Sequence, residues 1–188
     1  MDSTIPLPRR RLHPSAATRR WYENELGWPT VPGDPVRLVT GLAFDVLDVP
    51  AEAGAAALRH LGPGSPVALQ RDRMRFLVAA GSAEELSGLL DWLEWGALAP
   101  DLIALGTGGH MEAPPPPGRN ALGAAVWLRP PEPGRGTVAP LPALSAVGGV
   151  GGAPDLVRLV DTVATRCHRI RLRRGGAGPP VGQPFAFS

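Results

Sequence analysis

The stretch FDVLDVPAEAG, residues 44–54, decides the fold predicted for this chain. Apolar residues dominate its first half, which predicts a buried β-strand over residues 44–49. The small residues that follow predict a short helix over residues 52–61, ended by a Gly-Pro pair. Asp48 stands near the end of the strand, where a carboxylate can hold a divalent cation. Asp45 points to the opposite face by alternation, which leaves one acidic residue on the face of interest.

A hairpin and a capped helix are predicted next. VALQ (residues 67–70) and RFLVAA (residues 75–80) are β-type runs, and the polar RDR between them (residues 71–73) predicts the turn. Ser82 and Glu85 form a capping box before leucines at helical spacing, which predicts a helix that begins at Ser82. This succession of strands and helices favours one domain that contains both.

The remaining elements complete an α/β (α+β) domain with a mixed β-sheet flanked by helices. With 188 residues, of which 44% are hydrophobic, the chain is long enough for one such core. The predicted organisation is a flexible basic leader (1–14), a single domain (15–174) that includes a Pro/Gly-rich mobile loop (129–153) and a C-terminal helix (154–173), and a flexible tail (175–188). The other predicted elements are a helix over residues 15–26, capped by Ser15, and strands over residues 28–31, 36–40, 102–105, 110–113 and 124–128.

The charge is unevenly distributed along the chain. All 19 basic residues are arginine, which suggests a GC-rich, actinobacterial coding sequence. Residues 1–20 carry five Arg and one Asp, for a net charge of +4, and residues 166–188 carry five Arg and no acid, for +5. The other nine Arg and sixteen acidic residues leave −7 in the middle. Flexible basic termini on an acidic body predict binding to DNA or RNA, or to a protein partner, with merely solvated tails as the alternative.

The cellular location and the role of the single cysteine can also be predicted from the sequence. There is no signal peptide and no apolar run of membrane-spanning length, so we predict a cytoplasmic protein with no membrane partner. A single Cys167 permits no internal disulfide, and its place on the apolar stripe of the last helix predicts a core position. Trp92 and Trp95, three residues apart, are predicted to share a helix face, either packed in the core or exposed as an aromatic patch for a partner.

Several segments, in this order within residues 15–172, resemble the bifunctional DNA primase/polymerase N-terminal domain, the prim-pol branch of the archaeo-eukaryotic primases. They are GWPTVP (27–32), VTG (39–41), VLDVPAEAG (46–54), RFLVAAG (75–81) and GGHMEAPPPPGR (108–119). The resemblance implies template-directed phosphoryl transfer with two divalent cations, which need converging carboxylates. In that family an acidic pair ends one strand, a third Asp lies on a later strand, and a His on the intervening strand contacts the nucleotide phosphates.

Three of those four positions carry a different residue type in this chain. By the resemblance, Asp48 corresponds to the first acid, whereas Pro50 stands at the second and Ile103 at the third. Arg75 stands at or near the position of the phosphate-binding His, and Asp101 lies two residues before Ile103. We therefore predict a degenerate member of the family, in which Asp48 pairs with Arg75 instead of coordinating Mg²⁺.

The favoured functional hypothesis is a catalytically degenerate primase/polymerase-like module with a regulatory role. It would act by binding a nucleic acid, a nucleotide or a protein partner, and its candidate nucleotide or nucleic-acid contacts are Arg73, Arg75 and His110. This hypothesis expects binding and no catalysis, and no cofactor.

Two alternatives from other classes stay open. The first is an active DNA primase/polymerase that uses Mg²⁺ or Mn²⁺ with acids in displaced geometry, namely Asp48 as a metal ligand, Asp101 and Glu112. The second is a structural or protein-interaction protein without a nucleotide role. Metal-dependent primer synthesis or stabilisation by nucleotides would distinguish the enzyme from the other two.

Overall fold

The computed structural model describes residues 13–98, 100–119, 125–133, 141–144 and 155–176. Most of the leader, the Pro/Gly-rich loop and the tail predicted from the sequence lie outside these residues. The helices and strands are α1 (Pro14–Arg20), β1 (Thr30–Val31), β2 (Arg37–Val39), β3 (Asp45–Pro50), α2 (Ala51–Ala57), β4 (Val67–Gln70), β5 (Arg73–Val78), α3 (Ser82–Trp92), β6 (Ile103–Leu105), β7 (His110–Glu112), β8 (Val126–Arg129) and α4 (Leu156–Gly176). A π-helical turn follows α1, and 3-10 turns follow α2 and α3.

The centre of the molecule is a β-α-β-β-α-β unit that runs from β3 to β6. Its strands form a sheet in the order β6-β3-β5-β4, to which β8 adds a fifth strand beside β4. Two β-α-β units are thus interleaved, with the first strand of each unit in the middle of the sheet, as in ferredoxin-like folds. The residues quoted at the outset, β3 and the start of α2, begin this unit, and β3 has neighbours on both sides.

The predicted α+β class is confirmed, and β3 and β5 are central neighbours as expected. The direction of the strands differs from the prediction, because both sheets are antiparallel and the expected mixed sheet is not formed. In an interleaved unit of this kind, each crossover skips one position and an antiparallel strand fills the gap. Helices between strands therefore do not require adjacent parallel strands.

Each face of the central sheet supports its own core. On one face, residues of β3, β4 and β5 pack with α2, α3 and α4 around Leu47, Val49 and Phe76. On the other face, Val46 and Leu77 pack with Tyr22, Trp28 and the small sheet of β1, β2 and β7. Alternation along β3 explains the division, because successive side chains point to opposite faces. Asp48 therefore lies on the same face as Val46.

Two glycines of the quoted segments have positions that require glycine. Gly41 in VTG has φ +88°, and an added Cβ would lie 2.3 Å from Thr107 Cα in the GTGG turn. Thr40 Oγ1 donates a hydrogen bond of 2.6 Å to Gly106 O across the same contact. Gly54 in α2 lies against Met74 of β5, where an added Cβ would be 2.7 Å from the sulfur. These small residues allow two loops to meet and α2 to pack closely on the sheet.

The helix caps predicted from the sequence are wrong. Helix α1 begins at Pro14 with His13 as N-cap, and helix α3 has Gly81 as N-cap, with no side-chain cap in either helix. Ser82 is buried at the first position of α3. The free N–H of Ala83 is instead satisfied by Asp45 Oδ2, 2.9 Å away on β3. A tertiary contact thus replaces the local capping box.

The tryptophan prediction is also wrong. Helix α3 ends at Trp92, and Glu94 has φ 63°, so the chain turns before it reaches Trp95. Trp92 is 72% exposed, whereas the indole N–H of Trp95 donates a hydrogen bond of 3.0 Å to Asp161 Oδ1 on α4. The two rings therefore do not share a helix face.

The C-terminal helix begins two residues and ends three residues later than predicted, and it carries the basic residues of that end. Helix α4 extends to Gly176, and its apolar stripe, including Cys167, is buried against α2 and the sheet. The predicted core position of Cys167 is confirmed. All five arginines of residues 166–188 lie within this helix, so the positive charge belongs to an ordered element. No helix in the described ranges is long and apolar enough to cross a membrane.

Candidate functional site

The candidate site lies at the end of β3, where three strands bring their side chains into one row. The ladder of β3 and β5 pairs Asp48 with Arg75, and the ladder of β3 and β6 pairs Asp48 with Ile103. The register also places Pro50 opposite Arg73. The positions singled out from the sequence are therefore direct neighbours across the sheet.

Asp48 is held by two arginines of β5. Its Oδ1 atom accepts a hydrogen bond of 2.5 Å from Arg73 Nε, and its Oδ2 atom accepts one of 2.8 Å from Arg75 Nε. Asp48 is only 8% exposed. The expected pairing of Asp48 with Arg75 is present, and each carboxylate oxygen carries one charge-assisted hydrogen bond.

Arg73 links Asp48 to the second candidate acid. Its Nη1 atom donates to Asp101 Oδ1 at 2.7 Å, and its Nη2 atom donates to the backbone oxygen of Asp48 at 2.8 Å. Burial lowers the pKa of the Arg73 guanidinium, but the hydrogen bonds and charges of the two aspartates outweigh burial, so that the pKa is raised. Asp101 is thus near Asp48, with the guanidinium group of Arg73 between the two carboxylates.

The central role of Arg73 was not predicted from the sequence, which assigned this residue to the turn. The strand begins at Arg73 because Gln70 and Arg73 close the hairpin around Arg71 and Asp72. The signal that identifies Arg73 is its spacing of two from Arg75, which puts both side chains on one face of a strand. Both guanidinium groups then reach the carboxylate on the neighbouring strand.

Arg75 has unused hydrogen-bonding capacity. Its side chain is 15% exposed, and its Nη1 atom is buried without a hydrogen-bond partner in the part of the chain that the structure describes. A buried donor with no partner carries a free-energy cost, and an anion or water beside it would reduce that cost. Arg75 therefore has one guanidinium nitrogen that is free to bind an anion, but that nitrogen is buried, so the anion would have to enter the site.

The residues present do not fit a two-metal site. Both oxygens of Asp48 face guanidinium groups, Pro50 has no side-chain oxygen, and Ile103 is an apolar residue that is 53% exposed. A metal clamp needs several anionic oxygens that converge. Across residues 13–98, 100–119, 125–133, 141–144 and 155–176, no group of three or more His, Cys, Asp or Glu side chains could hold a metal ion.

Two other predicted site residues lie outside this cluster. Glu112 on β7 accepts hydrogen bonds from Gln70 Nε2 and, at 3.3 Å, from the backbone N–H of Ala125. His110 is exposed at the other end of β7, where its ladder partner is Val39. Glu112 therefore joins the two sheets, and neither residue shares a hydrogen bond or ion pair with Arg73 or Asp48.

A groove of about 210 Å³ lies beside Asp101 at the edge of the sheet. Its lining comes from the end of β3, the segment before β6 and the last turns of α4, namely Pro50, Asp101, Cys167, Ile170, Arg171 and Arg174. Burial raises the pKa of the Cys167 thiol to about 11, with the negative charge of Asp101 acting in the same direction. The thiol donates a hydrogen bond of 3.4 Å to the backbone oxygen of Asp101, so it is a packing group and not a nucleophile.

Comparisons with protein-family models, with curated proteins and with solved structures found no match for this chain. The likeness to prim-pol domains rests on the sequence segments quoted above.

Proposed function

We propose that this chain is a catalytically degenerate, primase/polymerase-like module that acts by binding nucleic acid. The order of the quoted segments supports the likeness. It is further supported by the row of Arg75, Asp48 and Ile103, because a site of the implied kind would need these three positions to be neighbours. A regulatory role is part of the same proposal.

One observation carries the non-catalytic part, namely that the carboxylate of Asp48 is neutralised by two guanidinium groups. A cation at this carboxylate would have to displace Arg73 or Arg75, and it would then approach a second fixed positive charge. Phosphoryl transfer depends on cations that stabilise charge in the transition state. Fixed arginines at the same place can attract a phosphate, but they do not supply the converging ligands for two metal ions.

The binding part is supported by the excess of arginine close to this site. Arginine forms bidentate contacts with phosphate oxygens, and its charge does not depend on pH in the physiological range. Arg75 Nη1 is buried and has no partner among the described residues, and Arg171 and Arg174 line the groove beside Asp101. Such a surface favours contacts with the phosphate backbone, which are largely independent of base sequence.

The proposal is tested by measuring binding and primer extension with the same preparation. We expect the full chain to bind a fluorescein-labelled 20-nucleotide oligo(dT) at low ionic strength, with an affinity that falls steeply as salt is added. On a primed template with all four deoxynucleotides and Mg²⁺ or Mn²⁺, we expect no extension product. A B-family polymerase in a parallel reaction controls for template and nucleotide quality.

Two results would overturn the proposal in different ways. Phosphate contacts are strongest at low salt, so absence of oligonucleotide binding at about 20–50 mM salt would refute the binding function. Primer extension by the unmodified chain that is abolished in Asp48→Ala would establish the enzyme. Restoring activity to a degenerate site should require at least Pro50→Asp and Ile103→Asp together, because both supply missing carboxylates.

A further inference from the structure

The exposed side of α4 carries a stripe of arginines that the site around Asp48 does not use. Arg166, Arg169 and Arg173, here called the α4 basic face, are all exposed. Their spacing of three and four residues puts them on one side of the helix, over a rise of about 10 Å. Between residues 166 and 174 the helix has five arginines and no acidic residue.

Two of the three arginines of the α4 basic face have no partner within the described residues. Arg166 and Arg169 make no ion pair or hydrogen bond with any residue that the structure describes, and Arg173 pairs with Glu52 of α2 at the surface. By contrast, Arg73 and Arg75 are compensated by Asp48 and Asp101. Like charges three and four residues apart on a helix repel one another weakly, and an approaching polyanion would offset that repulsion.

The opposite side of α4 indicates what kind of partner the helix can accept. Its apolar stripe is already buried against α2, α3 and the central sheet, as Leu159, Val163 and Ile170 show. A helix that lies on a membrane needs a free apolar face to enter the lipid interface. Since α4 has none to spare apart from Leu172, its exposed side can attract a partner through charge alone.

We propose that the α4 basic face is the main contact surface for the phosphate backbone of a bound nucleic acid. This inference rests on the proposed function and adds the surface that performs it. Charge complementarity carries it, because a regular polyanion matches a row of exposed arginines on a helix, of which Arg166 and Arg169 have no partner among the described residues. The contact is with phosphates and involves no base recognition, so it tolerates any sequence and is sensitive to salt.

The decisive variant is Arg166→Gln with Arg169→Gln and Arg173→Gln in the full chain. Its control is Arg20→Gln with Arg37→Gln and Arg119→Gln, three exposed arginines on α1, β2 and the loop after β7. Both triple variants change the net charge by −3, so the bulk electrostatic effect is matched. None of the control arginines makes an ion pair with a described residue.

Binding to labelled oligo(dT) is measured by fluorescence anisotropy between about 20 and 300 mM salt, a range in which phosphate contacts titrate. Each lost phosphate contact should lower the slope of log K against log salt by about 0.7, so the α4 triple variant should lose about 2 from the slope. We expect its affinity at low salt to fall more than about tenfold, while the control changes it only a few fold. The double variant Arg166→Gln with Arg169→Gln should lose about two thirds of this slope, and it keeps the Arg173 pair with Glu52.

The outcomes separate this inference from the proposed function. If the wild type binds oligo(dT) and the two triple variants weaken binding equally, the α4 assignment is refuted and the nucleic-acid function stands. If the wild type does not bind oligo(dT), both fail. If it binds vesicles with 30% phosphatidylserine but not oligo(dT), and the α4 variant loses that binding, the surface is a membrane contact instead. Circular dichroism and thermal melting of each variant show that it is folded before its affinity is used.

Discussion

Replacing Asp48 by alanine distinguishes an ion cluster that stabilises the fold from a site whose residues are retained for metal binding. In the structure, Asp48 accepts two charge-assisted hydrogen bonds, from Arg73 and Arg75, and it is 8% exposed. Among the residues that the structure describes, alanine would leave neither Nε nor Nη1 of the largely buried Arg75 with a partner. Arg73 would keep its bonds to Asp101 and to the backbone oxygen of residue 48.

The magnitude follows from these contacts. A hydrogen bond to a charged group contributes about 1.5–3 kcal/mol, and removal of one partner of a buried ion pair costs about 3–5 kcal/mol. Because Arg73 keeps two partners, the lower end applies, and we expect Asp48→Ala to lower the free energy of unfolding by about 3 kcal/mol. In a domain of this size, that loss lowers the melting temperature by about 6–12 °C.

Urea denaturation monitored by tryptophan fluorescence measures this change, and Asp101→Ala is the matched control. Asp101 also pairs with Arg73, at 2.7 Å, but its side chain is 54% exposed, so its loss should cost less than about 1 kcal/mol. An Asp48→Ala variant as stable as the wild type, or more stable, would refute the reasoning. That result is typical of functional sites whose residues are kept at the expense of stability.

Two further predictions concern buried titratable groups. Burial raises the pKa of Asp45 above its ordinary value, against the hydrogen bond from Ala83, so the native state binds the proton more tightly than the unfolded chain does. The stability that this proton contributes is present below the unfolded pKa and is lost as the pH rises through the folded pKa. The Asp45→Asn variant should therefore become more stable relative to the wild type as the pH rises from about 4, near the unfolded pKa of Asp, to about 7. Urea denaturation measures this difference, and a difference that is constant with pH would contradict the assignment. Burial raises the pKa of Cys167 to about 11, so the native protein should resist iodoacetamide at a pH below that value, whereas the urea-denatured chain should react fully. Rapid alkylation of the native protein in a mass-spectrometric time course would show that α4 opens.

The sequence by itself determined the elements whose signal is local. The central strands were predicted within about two residues of their ends, because alternation or an apolar run of four to eight residues suffices to indicate a strand. The turn residues between β4 and β5 likewise gave the hairpin, and the apolar stripe of α4 placed Cys167 in the core. The position of Asp48 and its pairing with Arg75 also followed from the sequence, through the segments that resemble a known family.

Contacts between distant residues were decided only by the tertiary structure. Asp45 replaced the capping box predicted for α3, although it lies 38 residues from Ala83. Arg73, which was predicted to lie in a turn, is at the centre of the ion cluster, and Glu112 accepts a hydrogen bond from Gln70 on another strand. A local pattern shows which face of a strand a side chain occupies, but strand register and order decide which groups meet there. For the C-terminal arginines, the sequence showed their charge, and the packing of α4 showed that Arg166, Arg169 and Arg173 lie on one exposed side of the helix.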